Sequence, residues 1–410
     1  MLATIFLTVF IDLLGVGIII PVLAPLFLNP MSGILPIDYH AAFFTRQLLL
    51  GLLISAYPLA QFFGAPILGA MSDRFGRRKI LMLSLVGTVL GYIFFGVGIT
   101  TASIAVLYLS RIVDGFTGGN ISIALSAIAD ISDPKEKAKN FGLVGMAFGL
   151  GFILGPYIGG KLADPTIVSW FNHATPFWFA AILAALNIVL VALRFPETLK
   201  THRKTPISAL TGFKNLAKAM RMQNLRTMFL VVFFLTIGFN FFTQFFQVYL
   251  IEKFQFTISN IGDLFAYIGL WIAFSQGFIT RIVSKKFKPQ QILSVSCIIL
   301  AIALLGLVIP DHATTLLFIL PFVAISNGLT QPNSTAIISN LAGKESQGEV
   351  LGINQSIQSL GMAIPPVIAG IIVTIDKILP IFVASCFVFI AWVTFLFFFK
   401  NKQKEVFHEA

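Results

Sequence analysis

The stretch that decides the fold of this 410-residue chain is Gly69-Ala-Met-Ser-Asp73-Arg74-Phe-Gly76-Arg77-Arg78. It lies between two long apolar runs and holds most of the charge in this part of the chain. Glycine lets two helices approach closely and lets the backbone turn tightly, and paired arginines anchor a loop on the cytoplasmic side of a bilayer. The stretch therefore predicts a short, charged connection between two membrane-spanning helices.

The composition argues against an ordinary soluble protein. Hydrophobic residues make up 57% of the chain and charged residues only 11%, whereas soluble domains carry roughly 25% charged residues. The net charge of +11 lies in short clusters between apolar segments and not along one face, which argues against a nucleic-acid partner. Cys297 and Cys386 both lie inside apolar runs, so the chain requires no disulfide.

Twelve apolar segments are long enough to cross a bilayer, since a helix needs about 20 apolar residues to do so. The N-terminus passes directly into the first of them, which we interpret as a span and not as a cleaved signal peptide. The predicted fold is an all-α membrane protein with twelve transmembrane helices in two six-helix halves. The predicted spans are 4–28, 48–71, 79–100, 103–129, 138–162, 175–195, 226–251, 260–282, 291–309, 314–340, 348–374 and 378–399.

The charge distribution predicts the orientation in the membrane. Of the 28 Lys and Arg residues, 23 fall in the loops after even-numbered spans and in the C-terminal tail. Four fall on the other side, namely Arg46, Lys161, Lys253 and Lys377, and one, Arg111, lies inside a span. Basic loops stay in the cytoplasm, so both termini are expected there, in a multi-pass protein of the cytoplasmic (inner) membrane.

Two motifs repeat along the chain and define the predicted domains. Residues 151–160 align with 361–370, and 69–78 align with 277–286, both at an offset of about 210 residues. Such repetition predicts an N-terminal half at 1–195, a basic cytoplasmic linker at 196–225, a C-terminal half at 226–400 and a tail at 401–410. Part of the linker, 210–222, is either an interfacial basic helix or a solvated tether.

Three motifs resemble those of a known family. The 69–78 stretch and the span-five run Gly151-Phe-Ile-Leu-Gly155-Pro156-Tyr-Ile-Gly159-Gly160 resemble signatures of the major facilitator superfamily and of its proton-coupled exporters. Residues 10–23, with Asp12, Gly15 and Gly17, and Ala129-Asp130-Ile-Ser-Asp133 with Phe141-Gly142 resemble the tetracycline-efflux group of drug:proton antiporters. Gly91 stands where that group has a carboxylate in span three, which counts against tetracycline as the substrate.

The resemblance implies alternating access, with two segments that gate it. Asp73 and the arginines are expected to pair across the cytoplasmic ends of the halves, and the glycine run is expected to permit close helix packing. The predicted gating residues are Gly69, Asp73, Arg74, Gly76, Arg77, Arg78, Gly151, Gly155, Pro156, Gly159 and Gly160.

Three ionisable residues lie well inside spans, where a charge costs about 2.5–3.5 kcal/mol even on the most lenient scale. They are Asp12 in span one and the pair Arg111 and Asp114, three residues apart on span four. Asp12 either carries the coupled proton or hydrogen-bonds a neighbouring helix. Arg111 and Asp114 form either a proton relay or a fixed structural ion pair. Asn120 is roughly opposite Arg111 on a helical wheel, so we do not count it among the residues of the cavity wall.

Uncharged polar and aromatic residues recur on one face of several spans. Facing lipid, their amides would stay unsatisfied, so they are expected to point inward, where they either line a substrate cavity or hold helices together. The predicted substrate-binding residues are Tyr57, Gln61, Asn240, Gln244, Gln247, Tyr267, Trp271, Asn327, Gln331, Asn354 and Gln358. None of the five histidines makes a metal-ligand spacing with another, so no metal or cofactor is expected.

The sequence favours a monomeric, proton-driven antiporter that exports a small amphiphilic drug or metabolite, with a role in multidrug efflux and antibiotic resistance. The alternative on the same fold is a proton-coupled importer of a nutrient, an organic acid or a metal-chelating siderophore. A membrane enzyme would need clustered catalytic groups, which the sequence lacks. A channel fits the two-half repeat less well than alternating access does.

Overall fold

The computed structural model of the protein describes residues 2–29, 32–35, 43–131, 137–199, 210–223, 225–342 and 347–399. This part of the chain is α-helical and contains no β-strand, which confirms the predicted all-α class. Ten helices within it are long and apolar enough to cross a membrane. Asp133, positions 200–209 of the linker and the tail lie outside the described residues.

The chain divides into two compact units, and the first comprises residues 1–211 and 255–270. Its helices are α1 (Leu2–Leu28), α2 (Phe43–Phe75), α3 (Arg77–Thr100), α4 (Ile104–Thr117), α5 (Asn120–Ile131), α6 (Lys137–Leu162), α7 (Thr175–Arg194) and the first part of α10 (Ile258–Phe274). Within it, α1 packs on α6 and α7, and α4 packs on α2 and α3.

The second unit comprises residues 212–254 and 271–410. Its helices are α8 (Thr211–Arg221), α9 (Arg226–Phe254), the end of α10 with a π-helical turn (Ser275–Ile279), α11 (Thr280–Val283), α12 (Pro289–Gly306), α13 (Ala313–Leu341), α14 (Gln347–Ile372) and α15 (Leu379–Thr394), which ends in a second π-helical turn (Phe395–Phe399). Within this unit, α9 packs against α14 and α15, and α12 packs against α13 and α15. The predicted boundary at 196–225 stays a prediction.

The predicted fourth span is two helices, because the chain breaks at Gly118–Gly119. The N–H of Gly118 bonds to the Gly115 carbonyl at 3.0 Å, a tighter turn than an α-helix makes, and α5 starts afresh at Asn120. The Gln61 amide donates to the Gly118 carbonyl at 2.7 Å. The Gln61 side chain on α2 thus donates to a carbonyl that has lost its helical hydrogen bond at the break. A helix interruption inside a membrane protein requires such a replacement donor.

The glycine run of span five holds α6 directly against α1. A Cβ added at Gly155 would lie 2.6 Å from the Cα of Gly17, and one at Gly151 would lie 2.9 Å from the backbone of Leu13. Close helix packing through this stripe was predicted, and the structure gives its partner as the helix that carries Asp12. The run therefore positions Asp12.

Gly69 does not make the close helix approach that the sequence suggested. A Cβ added there would meet no atom of another described element within 4 Å. The tight turn expected at the second glycine is at Gly76, which has φ 107° and is the single residue between α2 and α3. Residues with a side chain rarely adopt this backbone conformation, so the turn needs glycine at this position.

Candidate functional site

Asp12 lies in the middle of α1 with 8% of its surface exposed. The side-chain amide of Asn120 donates a hydrogen bond to its carboxylate at 2.6 Å. The other end of that amide accepts a hydrogen bond from the N–H of Ile121 at 2.8 Å, which fixes the orientation of Asn120. The helical wheel that places Asn120 opposite Arg111 does not apply, because the break at Gly118–Gly119 interrupts the helix between them.

Arg111 and Asp114 lie together in the interior of unit 1, with 5% and 3% of their surfaces exposed. The guanidinium Nη2 is 3.3 Å from the Asp114 carboxylate. Gly91 makes room for this carboxylate, since a Cβ added there would lie 2.5 Å from the Asp114 Cβ. The Thr88 hydroxyl hydrogen-bonds to Asp114 as well. The predicted pairing on one face of span four is therefore present.

The guanidinium of Arg111 faces two aromatic rings. Its central carbon lies 4.8 Å from the ring centre of Phe95 and 5.8 Å from that of Tyr57. Rings at this distance stabilise a cation through their electron-rich faces. Within the described part of the chain, Nε and Nη2 have no hydrogen-bond partner of acceptable geometry. The charge of Arg111 is therefore balanced by one carboxylate and stabilised by two rings, and its Nε and Nη2 can still donate hydrogen bonds.

The two carboxylates belong to one cluster, because Asp12 and Asp114 are close enough to repel each other electrostatically. Tyr92 is fully buried beside both. We call Asp12, Arg111, Asp114 and Asn120 the buried charge cluster. Two acids and one base leave it one negative charge when all three are ionised, so it binds a proton or another cation more readily than an isolated pair would.

The polar residues predicted for unit 2 are buried or half-buried. The amides of Asn240 and Gln247 donate to carbonyls of their own helix, those of Thr236 at 2.9 Å and Gln244 at 3.2 Å. The side-chain oxygens of Gln247 and Asn354 have no hydrogen-bond partner among the described residues. Buried acceptors without a partner are rare, so these two oxygens are candidates to bind water or a ligand. The remaining predicted residues here are Gln244, Trp271, Asn327, Gln331 and Gln358, and Tyr267 lies in unit 1.

The charged connection between α2 and α3 forms a second group, which we call the loop cluster: Asp73, Arg77, Asp130, Glu197 and Thr198. Arg77 is buried and lies 2.5 Å from the carboxylate of Asp73 and 3.2 Å from that of Asp130. Both partners belong to unit 1. The predicted pairing of Asp73 across the halves stays a prediction.

Glu197 caps the first turn of α3, a role that the sequence did not suggest. Its carboxylate accepts hydrogen bonds from the backbone N–H groups of Arg77 at 2.9 Å and Arg78 at 3.2 Å. An acid is favourable at a helix N-terminus, where N–H groups lack partners. Arg78 in turn donates to the carbonyl of Ala192 at the end of α7. The segment after α7 thus completes the loop cluster. The sequence signal for this contact is an acid directly after Pro196.

Replacing Glu197 with Gln is expected to lower the free energy of unfolding by about 1 kcal/mol, the usual contribution of a helix cap. Burial raises the pKa of Glu197, but hydrogen bonds from the backbone N–H groups of Leu199, Arg77, Arg78 and Thr198 outweigh that effect and hold the pKa below its ordinary value of 4.5. The stabilisation is therefore present above the ordinary pKa and is lost as pH falls through the lowered one. Thermal unfolding of both proteins from neutral to acidic pH measures this, and a constant difference in melting temperature would contradict it.

An Asn120→Ala variant is expected to lose about 1–3 kcal/mol of stability and to transport more slowly, because Asp12 loses its hydrogen-bond donor while staying buried. Asn187→Ala is the matched control, since the Asn187 amide also anchors α1, through the Thr8 carbonyl at 3.0 Å, without touching Asp12. Melting temperature and transport rate are measured together. Equal loss of transport in both variants would mean that Asn120 only holds α1 in place.

Comparison with known proteins gives a consistent result. Residues 5–366 match the model of the Major Facilitator Superfamily. The chain is 31% identical to the class C tetracycline resistance protein of Escherichia coli, over 88% of this chain and 86% of that one. It is 28% identical to Multidrug resistance protein 2 of Bacillus subtilis (strain 168), over 97% and 94%. The crystal structure of the human organic anion transporter MFSD10 (TETRAN) superposes with a TM-score of 0.74 at 23% identity, over 96% and 98%.

Proposed function

This chain belongs to the Major Facilitator Superfamily and is a multi-pass membrane transporter, and we propose that it is a proton-coupled antiporter. It exports a small amphiphilic organic compound by alternating access. The transport is driven by the proton gradient without a cofactor, in a cytoplasmic membrane with both termini on the cytoplasmic side. The observation that carries this proposal is the buried charge cluster, two carboxylates and one guanidinium deep within unit 1.

Asp12 and Asp114 are the carboxylates that bind the coupled proton in this proposal. A buried carboxylate among apolar neighbours is costly as an anion, so it takes up a proton when the solvent on one side of the membrane supplies one. Protonation of Asp114 removes the partner of Arg111 and leaves a buried guanidinium unpaired, which favours a conformation in which Arg111 finds another counter-charge. A change of pairing inside unit 1 is the kind of two-state rearrangement through which proton binding shifts a conformational equilibrium.

The exported compound competes with the proton for the same negative charge. A cluster with one excess negative charge favours a cationic or zwitterionic ligand when it is deprotonated. The rings of Tyr57 and Phe95 offer apolar contact beside the charge. Relatives named for tetracycline and multidrug resistance support this substrate class and the efflux direction.

Everted membrane vesicles with an imposed pH gradient test the proposal. Ethidium, tetracycline and benzoate are added one at a time to vesicles that contain the wild-type protein, the Asp12→Asn variant or the Asp114→Asn variant. Compound-dependent proton release from wild type alone is expected for antiport coupled through Asp12. Release that survives in Asp12→Asn but not in Asp114→Asn would move the proton site to Asp114, and release that survives in both would contradict a role for the cluster.

A second candidate is a symporter that imports an organic anion. It is favoured by the donor capacity that Arg111 has left over, because an anion that binds a guanidinium also favours protonation of the neighbouring carboxylate. The structural neighbour described as an organic anion transporter is compatible with it. In the same vesicles, benzoate moving in the direction of the proton would identify this function and exclude export by antiport.

A further inference from the structure

We propose that α8 binds anionic lipid headgroups at the cytoplasmic surface of the membrane, with Lys214 and Arg221 as the headgroup ligands. The proposal extends the function above to the membrane itself and rests on the proposed orientation, with both termini in the cytoplasm. It does not depend on which compound is transported.

The position of α8 follows from its attachment to unit 2. The Asn215 side-chain amide donates to the hydroxyl of Ser356 on α14 at 2.9 Å, and Gly212 and Ala219 on the same side are buried. Only residues 222–225 separate α8 from the start of α9, a membrane-spanning helix. Four residues reach at most about 14 Å, so α8 lies close to the membrane surface.

An apolar strip runs along α8 next to its attached side. Phe213 and Met220 are seven residues apart, which places them on nearly the same side of a helix, and each has 51% of its surface exposed. A solvated tether gains nothing from such a strip, because exposed apolar side chains of this size are unfavourable in water. A helix that lies in the membrane interface buries them among the lipid chains.

The basic residues follow the apolar strip around the helix. Lys214 and Arg221 are likewise seven residues apart, each one position after the apolar pair, and both are exposed. Advancing one residue turns the helix by about 100°, so the bases lie on the flank beyond the apolar strip. With the strip among the lipid chains, that flank faces the headgroups, where each base strengthens attachment to an anionic surface by about fivefold. The helix contains no acid to oppose this.

Spin labels on single cysteines test the proposal with a measurement that does not depend on transport. The exposed Cys386 is replaced by Ala, whereas the buried Cys297 is kept. Labels at Met220→Cys and at Lys218→Cys, which is exposed and leaves both proposed ligands in place, are compared for accessibility to oxygen, which concentrates in lipid, and to a water-soluble nickel chelate. The full-length protein is reconstituted in phosphatidylcholine bilayers with and without phosphatidylglycerol.

The expected result is that the label at Met220→Cys is reached by oxygen and shielded from nickel, with the opposite pattern at Lys218→Cys. Phosphatidylglycerol is expected to strengthen the shielding, and the double variant Lys214→Gln/Arg221→Gln is expected to shift the docked population by about thirtyfold back to water. Lys285→Gln/Lys286→Gln, which neutralises two exposed bases elsewhere in unit 2, is the control and is expected to change nothing.

Two outcomes would overturn the proposal. Equal nickel accessibility at both positions in both bilayers would make α8 a solvated tether. Shielding of Met220→Cys that occurs only in native membranes, and not in phosphatidylglycerol bilayers, would assign the apolar strip to a protein partner. Neither outcome bears on the proton-release assay, so this inference and the proposed function fail separately.

Discussion

An Asp114→Asn variant is expected to lose about 3–5 kcal/mol of stability and most of its proton-coupled transport. The side chain keeps its volume, so the tight contact with Gly91 is preserved. The charge is lost, and Arg111 is left buried with two aromatic rings and no carboxylate partner within ion-pair distance in the described part of the chain. A buried cation without a counter-charge is among the most destabilising single changes a fold can suffer.

The double variant Arg111→Gln/Asp114→Asn tests whether the loss of stability in Asp114→Asn comes from the unpaired charge of Arg111. Both charges are then absent, and we expect the double variant to regain most of the stability that Asp114→Asn loses, because no unpaired charge is buried. Thermal unfolding followed by tryptophan fluorescence gives the melting temperatures. If Asp114→Asn were as stable as the wild type, Arg111 would have another counter-charge and the relay would have to be redrawn.

The second large effect is expected at the contact between α1 and α6. A Gly155→Ala side chain would lie 2.6 Å from the Cα of Gly17 and 2.9 Å from the carbonyl oxygen of Leu14, and backbone atoms cannot turn aside as a flexible side chain can. The helices must separate, at a cost of about 1–3 kcal/mol for overpacking. Because α1 carries Asp12, the displacement is also expected to disturb its 2.6 Å hydrogen bond with Asn120 and to abolish transport.

Gly352→Ala is the matched control for this prediction. It makes the same chemical change in another long span, α14, where an added Cβ meets no atom of another described element within 4 Å. Stability and transport close to wild type are expected, with a small gain in helix propensity. Equal damage from both substitutions would mean that transport depends on glycine flexibility and not on the close contact of α1 with α6.

Charge and hydropathy alone predicted much of the fold and the buried charge cluster. A charge at membrane depth is so costly that Asp12, Arg111 and Asp114 are conspicuous in a chain with 11% charged residues. The sequence did not predict which neighbours these residues contact, such as the hydrogen bond from Asn120 to Asp12. A helical wheel assumes an unbroken helix and therefore places Asn120 opposite Arg111, whereas the doublet Gly118–Gly119 breaks the helix between them.

The loop cluster also contains a contact that local sequence could not predict, because it joins residues far apart along the chain. Its arginines and Asp73 were predicted from local sequence, but Glu197 comes from a segment 120 residues away from Arg77. Only the fold brings that segment to the start of α3, and no local pattern indicates which helix an isolated acid will cap. The close helix approach predicted at Gly69 is absent for a related reason. A glycine permits close packing, but whether packing occurs depends on the position of another helix, which local sequence does not indicate.

Proton release from the purified protein tests the central claim most directly. The compound that moves protons in the vesicle assay is added to wild-type protein in weakly buffered detergent with a pH-sensitive dye, beside Asp12→Asn and the exposed control Asp263→Asn. The proposed mechanism predicts proton release on binding from wild type and Asp263→Asn, and none from Asp12→Asn. Undiminished release from Asp12→Asn would contradict the assignment of the coupled proton to this carboxylate.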